Sequence, residues 1–273
     1  MARMAFAGRT ALVTGAGGGM GRELAVLLAA KGAHLALADV DARGLEDTAR
    51  AAGDAGDGRV TTHALDVSDA GAVAELPPLI EAEHGGLDAL FNNAGIGASG
   101  TFRELDEAVF ERVMAVNFHG VVRVTRALLP LLLASGGARI VNTCSLWGLL
   151  APPGNTAYAA SKFAVNGFSQ SLARELKGTG VGVTIVYPGG VATGISENAL
   201  RPAGRSAGEV EAEKARDRAL LTLDPAIAAR RIVQAAERGK RRALIGADAK
   251  QGALLARLMP NRYWDVIAGL GFA

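Results

Sequence analysis

The chain is poor in the residues that build disulfides and metal centres. Its single cysteine, Cys144, excludes an internal disulfide and favours a reducing compartment. No metal ligand is predicted, because the histidines are scattered along the sequence without the spacing of a metal site, at His34, His63, His84 and His119. A formal net charge of only +2 implies no strong attraction to nucleic acid or to acidic membranes.

Long hydrophobic runs are missing as well. The longest apolar stretch, Ala127 to Ala134, falls far short of the roughly 20 residues that span a bilayer, so no transmembrane segment is predicted. The first residues lead directly into a candidate strand at Thr10–Thr14 and do not resemble a signal peptide. Together these absences predict a cytoplasmic protein.

The chain does contain a regular alternation of short apolar runs with amphipathic stretches. Candidate strands lie at Ala11–Thr14, His34–Ala38, Val60–Leu65, Ala89–Phe91, Arg139–Thr143, Val181–Val186 and Ala243–Ile245. Candidate helices lie at Gly21–Lys31, Ala70–Glu83, Asp106–Asn117, Gly120–Ala134, Ala157–Lys177 and Pro225–Glu237. This alternation predicts right-handed crossovers around a parallel sheet. We therefore predict an α/β fold, a doubly wound parallel seven-stranded sheet with helices on both faces, in a single domain over residues 1–273.

Glycine is abundant, with 36 residues, and one cluster follows the first strand. In Thr14-Gly15-Ala16-Gly17-Gly18-Gly19-Met20-Gly21 the backbone can turn tightly and lie against a pyrophosphate, where a Cβ would collide. The helix that follows offers free N–H groups to phosphates. A Rossmann-like dinucleotide site is predicted here, and its residues include Gly15, Gly19, Met20 and Gly21.

The residue that ends the second strand bears on which dinucleotide binds. Asp39 lies 18 residues after Gly21, where a carboxylate can accept hydrogen bonds from both adenosine ribose hydroxyls and would repel a 2′-phosphate. Val40 follows in place of an arginine, so NAD is predicted over NADP. Arg22 and Arg43 are close enough in sequence to leave NADP open. The alternative role for Asp39 is merely to cap the next helix.

A tyrosine and a lysine four residues apart carry the predicted chemistry. On a helix, Tyr158 and Lys162 share one face, so the ammonium group would favour the phenolate and lower the pKa of the phenol. Ser145 lies thirteen residues before Tyr158 and could hold the same substrate oxygen. Tyr158 would then act as a general acid or base towards a ketone or alcohol oxygen. Taken alone, such a pair is common, and Ser145 alone could simply form a turn.

Further motifs occur in a fixed order with these residues: Asp66-Val67, Asn92-Asn93-Ala94-Gly95, Asn117, and Pro188-Gly189 followed by Thr193. From about Gly8 to Ile245 the chain resembles the short-chain dehydrogenases/reductases, in their compact single-domain branch. The resemblance implies a single domain that both binds the dinucleotide and catalyses the reaction. It also implies catalytic roles for Ser145, Tyr158 and Lys162.

The resemblance assigns further roles to individual residues. Cofactor contacts are implied for Asp66, Val67, Asn93, Gly95, Tyr158, Lys162, Val191 and Thr193. Among these, Asp66 and Val67 would contact adenine, and Val191 and Thr193 would anchor the nicotinamide. Asn117 is implied as a further catalytic residue that bends its helix and holds a water linking the lysine to solvent.

These observations predict an NAD-dependent oxidoreductase that interconverts a secondary alcohol and a ketone. An apolar or weakly polar small-molecule substrate is expected, because the residues after the serine include Leu146, Trp147, Leu149, Leu150, Pro152 and Pro153. A 3-oxoacyl thioester reductase that uses NADP is the alternative, although it needs a basic surface for an acidic carrier. A non-catalytic dinucleotide sensor is disfavoured, since such proteins typically lack the tyrosine or the lysine.

Two segments depart from the regular pattern. Residues 194–224 are long and charged, which predicts a mobile lid or, alternatively, a solvated surface helix. Residues 249–273 form an apolar C-terminal extension that could pack on its own domain, contact a second subunit, cover the substrate mouth or touch a membrane. The resemblance also implies a homodimer or homotetramer.

Overall fold

Seven parallel strands form one sheet in the computed structural model, which describes residues 3–269. Residues 1–2 of the predicted domain and 270–273 of the predicted C-terminal extension therefore lie outside the described residues. The strands are β1 (Thr10–Thr14), β2 (His34–Asp39), β3 (Val60–Ala64), β4 (Ala89–Asn92), β5 (Arg139–Thr143), β6 (Gly182–Pro188) and β7 (Arg242–Ile245). Their order is β3-β2-β1-β4-β5-β6-β7, and all neighbours are parallel. The predicted parallel sheet is confirmed.

Helices connect the strands on both sides of the sheet. They are α1 (Gly19–Ala30), α2 (Ala42–Ala55), α3 (Ala70–Ala74), α4 (Leu76–His84), α5 (Glu107–Met114), α6 (Val121–Ala134), α7 (Thr156–Glu175), α8 (Ala207–Leu220), α9 (Pro225–Glu237), α10 (Ala247–Leu258) and α11 (Tyr263–Gly269). A π-helical turn, Ala115–Gly120, joins α5 to α6, and a 3₁₀ turn, Leu146–Gly148, follows β5.

The sheet is covered on both faces because its central strands are apolar on both sides. All five residues of β1 are buried. On one face, Leu24 of α1 and Ile232 of α9 belong to a common buried cluster. On the other face, Leu128 of α6 and Leu172 of α7 belong to a second one. This two-sided burial is the doubly wound arrangement that the strand and helix pattern predicted.

Two helical predictions need correction. The stretch Ala70–Glu83 forms two helices instead of one, because Pro77 and Pro78 occupy the first turn of a new helix. Helix α2 was not among the candidate helices. Its N-cap is Asp41, whose Oδ1 accepts a hydrogen bond from the Gly44 N–H at 3.0 Å. An aspartate in this position is a common N-cap and could have predicted the helix. The residues that follow it are rich in charge and alanine.

One continuous helical stretch deserves comparison with membrane spans. Glu107–Ala134 is long and apolar enough to cross a membrane by length and composition alone. Val113, Val124 and Leu128 along it are fully buried within the protein. This is the pattern of a core helix that covers a sheet.

The histidines are less scattered in space than in sequence. His63 and His84 each place Nε2 within hydrogen-bond distance of the Thr61 hydroxyl, at 3.1 and 2.9 Å. Desolvation lowers the pKa of both imidazoles. Within residues 3–269, no group of three or more His, Cys, Asp or Glu side chains could hold a metal ion.

Candidate active site

The glycine-rich turn between β1 and α1 leaves its backbone open to a ligand. Gly15 has a φ of +67°, and a Cβ there would lie 2.7 Å from the Cα of Ala94. At Gly21, a Cβ would lie 1.8 Å from the carbonyl oxygen of Gly15. The N-cap of α1 is Gly18, which has no side chain to satisfy the first N–H groups of the helix. Met20 packs partly buried against the apolar cluster below α1.

Asp39 holds this turn from the end of β2. Its Oδ2 accepts a hydrogen bond from the Gly17 N–H at 2.8 Å, and its Oδ1 accepts one from the Asp41 N–H at 2.9 Å. Because Asp41 caps α2, the capping alternative for Asp39 is wrong. Arg22 donates to the Thr48 hydroxyl and to the Gly17 carbonyl, each at 3.0 Å, so its guanidinium is tied into the turn.

Asn93 links the end of β4 to the same turn. Its side-chain amide donates to the carbonyls of Thr14 and Gly15, both at 3.2 Å. Its side-chain oxygen is buried and has no hydrogen-bond partner among the described residues. A buried acceptor without a donor costs free energy, so a ligand hydroxyl would fit here. This orphaned oxygen and the glycine cradle beside it both fit a dinucleotide.

The chain brings three of the four predicted catalytic side chains, Ser145, Tyr158 and Lys162, together at the end of β5 and the start of α7. Ser145 precedes the 3₁₀ turn, and its Oγ accepts a hydrogen bond from the Trp147 N–H at 3.1 Å. Tyr158 and Lys162 lie one turn apart on α7, with the lysine Nζ 5.6 Å from the centre of the tyrosine ring. The tyrosine is also hydrogen-bonded to the Ser145 side chain.

The protonation of this pair differs from the sequence-based prediction. Desolvation raises the pKa of Tyr158 to about 12, although the Ser145 hydrogen bond acts to lower it. Desolvation also lowers the pKa of Lys162 to about 8. The predicted lowering of the phenol pKa is therefore wrong for the ligand-free protein. Burial disfavours the charged form of each side chain.

Lys162 is buried beside the carboxyl ends of strands β4 and β5. Its side chain donates from Nζ to the Thr143 carbonyl at 3.1 Å, and the residue is 3% exposed. A Cβ at Gly95 would lie 3.5 Å from this Nζ and 3.2 Å from the Asn117 side-chain oxygen. Gly95 therefore lies against both Lys162 and Asn117, and a larger residue at this position would crowd their side chains.

Asn117 lies in the π-helical turn, where the regular α-helical hydrogen bonding is interrupted. Its side-chain oxygen accepts from the Ile96 N–H at 2.8 Å, and its amide donates to the Ser161 hydroxyl at 3.1 Å. The Ser161 hydroxyl in turn donates to the Tyr158 carbonyl at 2.7 Å. Asn117 thus connects the strand β4 side of the site to the backbone of the tyrosine.

The residues assigned to adenine lie just beyond β3. Asp66 accepts from the Ser68 N–H and from Arg112, both at 2.8 Å. Burial acts to raise the pKa of Asp66, but the hydrogen bonds from Ser68 and the Arg112 guanidinium lower it overall. Val67 is buried, and its Cγ2 would lie 2.6 Å from a Cβ at Gly120. Val67 therefore packs on the π-helical turn, and Gly120 makes this contact possible.

The segment after β6 returns to the glycine-rich turn. The Cβ of Thr193 lies 3.2 Å from the position that a Cβ would take at Gly19. Val191 is buried nearby in the chain. Asp248 fixes the segment from α10, since its Oδ2 accepts from the Gly190 N–H at 2.6 Å. The structure thus places Thr193 against the turn, as a cofactor contact requires.

Sequence reasoning missed several residues that hold the site in place. Thr14 accepts a hydrogen bond from the Asn93 N–H at 3.0 Å, and Arg112 of α5 binds Asp66 in the loop after β3. Ser161 lies inside the tyrosine–lysine motif, so its position was visible although its bond to Asn117 was not. These partners are separated by tens of residues, and only the fold joins them.

The residues after the serine are less available than predicted. Leu146 and Leu150 are buried, and a Cβ at Gly252 of α10 would lie 3.0 Å from the first side chain and 3.1 Å from the second. The Tyr263 hydroxyl of α11 accepts from the Ala151 N–H at 3.1 Å. The C-terminal helices therefore pack on this turn of their own chain. The expectation that both leucines face substrate is wrong, because they form the contact with α10.

The predicted lid is helical over α8 and is held by ion pairs. Glu213 is only 6% exposed, and it accepts from Arg201 at 3.1 Å and also from Arg205. Arg205 lies 3.5 Å from Glu104, on the loop that follows β4. The surface-helix alternative thus describes residues 207–220, and the ion pairs join this helix to the rest of the protein.

The sequence is similar to those of known oxidoreductases. A family model described as short chain dehydrogenase matches residues 9–203. SadH of Mycobacterium tuberculosis, an oxidoreductase by name, is 40% identical over 265 residues, which cover 96% of this chain and 95% of SadH.

Solved structures give the same fold with either of two dinucleotides. A short-chain dehydrogenase/reductase from Burkholderia phymatum in complex with NAD has a TM-score of 0.86 and 32% identity, covering 93% of this chain and 95% of that one. A metagenomic short-chain oxidoreductase in complex with NADP has a TM-score of 0.65 and 35% identity, covering 69% and 85% of the two chains.

Proposed function

Because the chain belongs to the short-chain dehydrogenase/reductase family, we propose that it is an NAD-dependent oxidoreductase interconverting a secondary alcohol and a ketone. The observation that carries the proposal is the meeting of Ser145, Tyr158 and Lys162 at one point. The end of β4 connects this point to the cofactor turn, since Gly95 adjoins the lysine and Ala94 adjoins Gly15. Packing alone gives no reason to bury an amine beside a phenol, because burial of a charged group is costly.

The cofactor supplies the redox chemistry when bound, as NAD exchanges a hydride with the substrate carbon. The backbone of Gly15, Gly19 and Gly21 would hold its phosphates. The carboxylate of Asp39 and the orphaned oxygen of Asn93 would accept hydrogen bonds from its sugars. Further contacts would come from Asp66, Val67, Val191 and Thr193. Relatives bind NAD or NADP, so the choice of NAD rests on Asp39.

Tyr158 performs the proton transfer in this proposal. With a pKa of about 12, the ligand-free phenol is protonated at neutral pH and can donate to the oxygen of a ketone. The Ser145 hydroxyl, already bonded to the tyrosine, would hold the same oxygen as it gains charge. Alcohol oxidation needs the phenolate, and a protonated Lys162 would favour that form. The ligand-free site is thus set as a proton donor.

The cofactor choice can be tested by removing one charge. We expect the parent to use NAD better than NADP, and Asp39→Asn to raise kcat/KM for NADP relative to NAD at least about tenfold, because a 2′-phosphate would no longer meet a carboxylate. The amide oxygen can still accept from the Gly17 N–H. Asp41→Asn, which changes the helix cap instead, is the matched control. Equal or better use of NADP by the parent would refute the assignment.

A 3-oxoacyl thioester reductase is the second candidate. One observation favours it, a basic surface on α9 and α10 that could receive an acidic carrier, as described below. Asp39 argues against it, because that alternative was predicted with NADP. Comparing kcat/KM for a 3-oxoacyl carrier thioester with that for a simple apolar ketone separates the two functions. The homodimer or homotetramer and the cytoplasmic location remain predictions, the first from the family and the second from the sequence.

A further inference from the structure

The positive charge of the chain is concentrated near its C-terminal end. Residues 225–262 contain only two acidic residues but nine basic ones, Arg230, Arg231, Arg238, Lys240, Arg241, Arg242, Lys250, Arg257 and Arg262. The formal net charge of the whole chain is only +2, so the rest of the chain is net negative. Both acidic residues are engaged elsewhere. Glu237 pairs with Lys31 at 2.8 Å, and Asp248 accepts from the Gly190 N–H at 2.6 Å.

Six of these basic residues line one groove of about 1100 Å³ between α9, β7 and α10. They are Arg231, Arg238, Lys240, Arg242, Lys250 and Arg257. Arg231 of α9 and Arg238 at its C-cap are seven positions apart. The same spacing separates Lys250 from Arg257 on α10, so each pair shares one helix face. We call this feature the basic groove. It is a continuous cationic surface built from three elements that are consecutive in the chain.

The cations of the basic groove lack counterions among residues 3–269. All six are exposed, and none lies within 4 Å of a carboxylate in the described part of the chain. Arg242 instead lies 4.9 Å from the centre of the Tyr187 ring. Like charges gathered in this way repel each other, and a negatively charged partner would relieve the repulsion.

Exposed apolar side chains lie beside these cations. Leu254 lines the basic groove and is 56% exposed, and Leu258 at the end of α10 is 69% exposed. Leu149, from the turn after Ser145, lines the same groove. Helices that combine Lys or Arg with protruding leucines are typical of segments that lie in the headgroup region of a bilayer.

We propose that the basic groove and the exposed leucines of α10 dock this protein on an anionic lipid bilayer. Anionic headgroups form a continuous negative surface that can neutralise cations on three elements at once, while Leu254 and Leu258 enter the apolar boundary. Since Leu149 belongs to the turn after Ser145, docking would bring that turn close to the membrane. The proposal does not depend on the reaction that the protein catalyses.

A second copy of the chain fits this surface less well. A two-fold interface places the same patch of both subunits face to face, so the cations of one groove would oppose those of the other. An acidic protein would need a matching apolar feature for the two leucines. A bilayer offers anionic headgroups and an apolar layer together, and it requires no matching arrangement of individual residues.

Vesicle binding by the full chain tests the proposal. We expect the protein to cosediment with vesicles of phosphatidylcholine and phosphatidylglycerol at about 0.1 M salt, where the Debye length is roughly 10 Å. High salt should release it, and vesicles of pure phosphatidylcholine should not bind it. Arg231→Glu/Lys250→Glu/Arg257→Glu should weaken binding by about 100-fold or more, since each basic residue contributes about fivefold. Leu254→Ser/Leu258→Ser should weaken it without changing the salt dependence.

The control carries the same change in net charge on other exposed surfaces, Arg50→Glu/Arg126→Glu/Lys177→Glu, and should bind within a few-fold of the parent. Circular dichroism and thermal melting confirm that all variants fold. Three results would overturn the proposal. The first is that the parent does not bind anionic vesicles. The second is that the groove variant and the control variant lose vesicle binding equally. The third is that the groove variant binds vesicles like the parent but has a different molar mass by light scattering, which would make the groove a subunit interface. Binding of an acidic carrier protein but not of vesicles would likewise count against a bilayer.

Discussion

The side chain on which the proposed chemistry depends most is Tyr158. Tyr158→Phe removes the proton donor but keeps the ring, so we expect kcat to fall at least about a thousandfold while NAD binding changes little. Steady-state rates and a fluorescence titration with NAD measure the two quantities separately. Turnover within tenfold of the parent would remove the tyrosine from its assigned role.

Lys162 provides a second test at this scale, through pH. Its pKa is about 8 in the folded protein and 10.5 in the unfolded chain. The unfolded chain therefore binds more protons than the folded protein between about pH 8 and 10.5. The free energy of unfolding should therefore fall as the pH drops from about 10.5 to 8, by up to about 3 kcal/mol, and stay reduced below pH 8.

Lys162→Met should remove this dependence. In the absence of cofactor, the variant is expected to be more stable than the parent at pH 7, less the roughly 1 kcal/mol of the lost hydrogen bond to the Thr143 carbonyl. The advantage should shrink as the pH rises above 8. Denaturant unfolding at pH 7, 8.5 and 10 measures it, and comparison with the parent cancels the ionisation of Tyr158. A difference that is constant with pH would contradict the assigned lysine pKa.

Residue spacing predicted which of the proposed catalytic side chains meet, but not their protonation. Tyr158 and Lys162 are neighbours on a helix, which spacing alone implies. The pKa shifts come instead from how deeply the two groups are buried, and burial depends on strands β4 and β5 that lie far away in sequence. The same limit applies to Asn93, whose orphaned oxygen could be found only with the partners of its amide.

At the scale of elements, α8 should be attached to the protein mainly through Glu213. Removing the charge from one partner of a buried ion pair typically costs about 3–5 kcal/mol. Glu213→Gln should therefore accelerate amide hydrogen exchange in residues 196–220 by at least about a hundredfold, while exchange in the sheet stays unchanged. If this segment is the lid, KM for the ketone should rise without a change in NAD affinity.

The matched control for α8 is Glu211→Gln. Glu211 also pairs with an arginine, Arg218, but its side chain is 64% exposed, so its charge contributes little to stability. Mass spectrometry of deuterated peptides follows both variants. Equal exchange in the two variants would show that the buried ion pairs do not hold the helix.

Elements were predicted where their sequence pattern is local. Strands β1 and β4 are buried along their whole length, and the apolar runs inside them, at residues 11–13 and 89–91, were visible in the sequence. The split at Pro77 was missed because two prolines begin a new helix there. Helix α2 was missed because its charged and alanine-rich sequence obscures the helical period of apolar residues. The bounds of α10 and α11 were not predicted, because their packing against the turn after Ser145 depends on contacts more than 100 residues apart.

For the whole molecule, the net charge proved a poor guide to the surface. A total of +2 predicted no attraction to acidic surfaces, yet the fold collects six exposed cations in the basic groove. Composition gives a sum, whereas binding depends on where the charges lie. The vesicle experiment therefore tests the prediction by examining the distribution of charge.

The order of the strands also fixes which sheet edge each strand can join as the chain is synthesised. β1 lies inside the sheet, with β2 and β3 added on one side and β4 to β7 added in succession on the other. From β4 onward, each strand that pairs as it is synthesised would extend the same open edge, and such an intermediate would expose unpaired backbone groups there. Strand β7 is last in this series, and its edge is flanked by the cations of the basic groove, which would discourage pairing with another nascent chain.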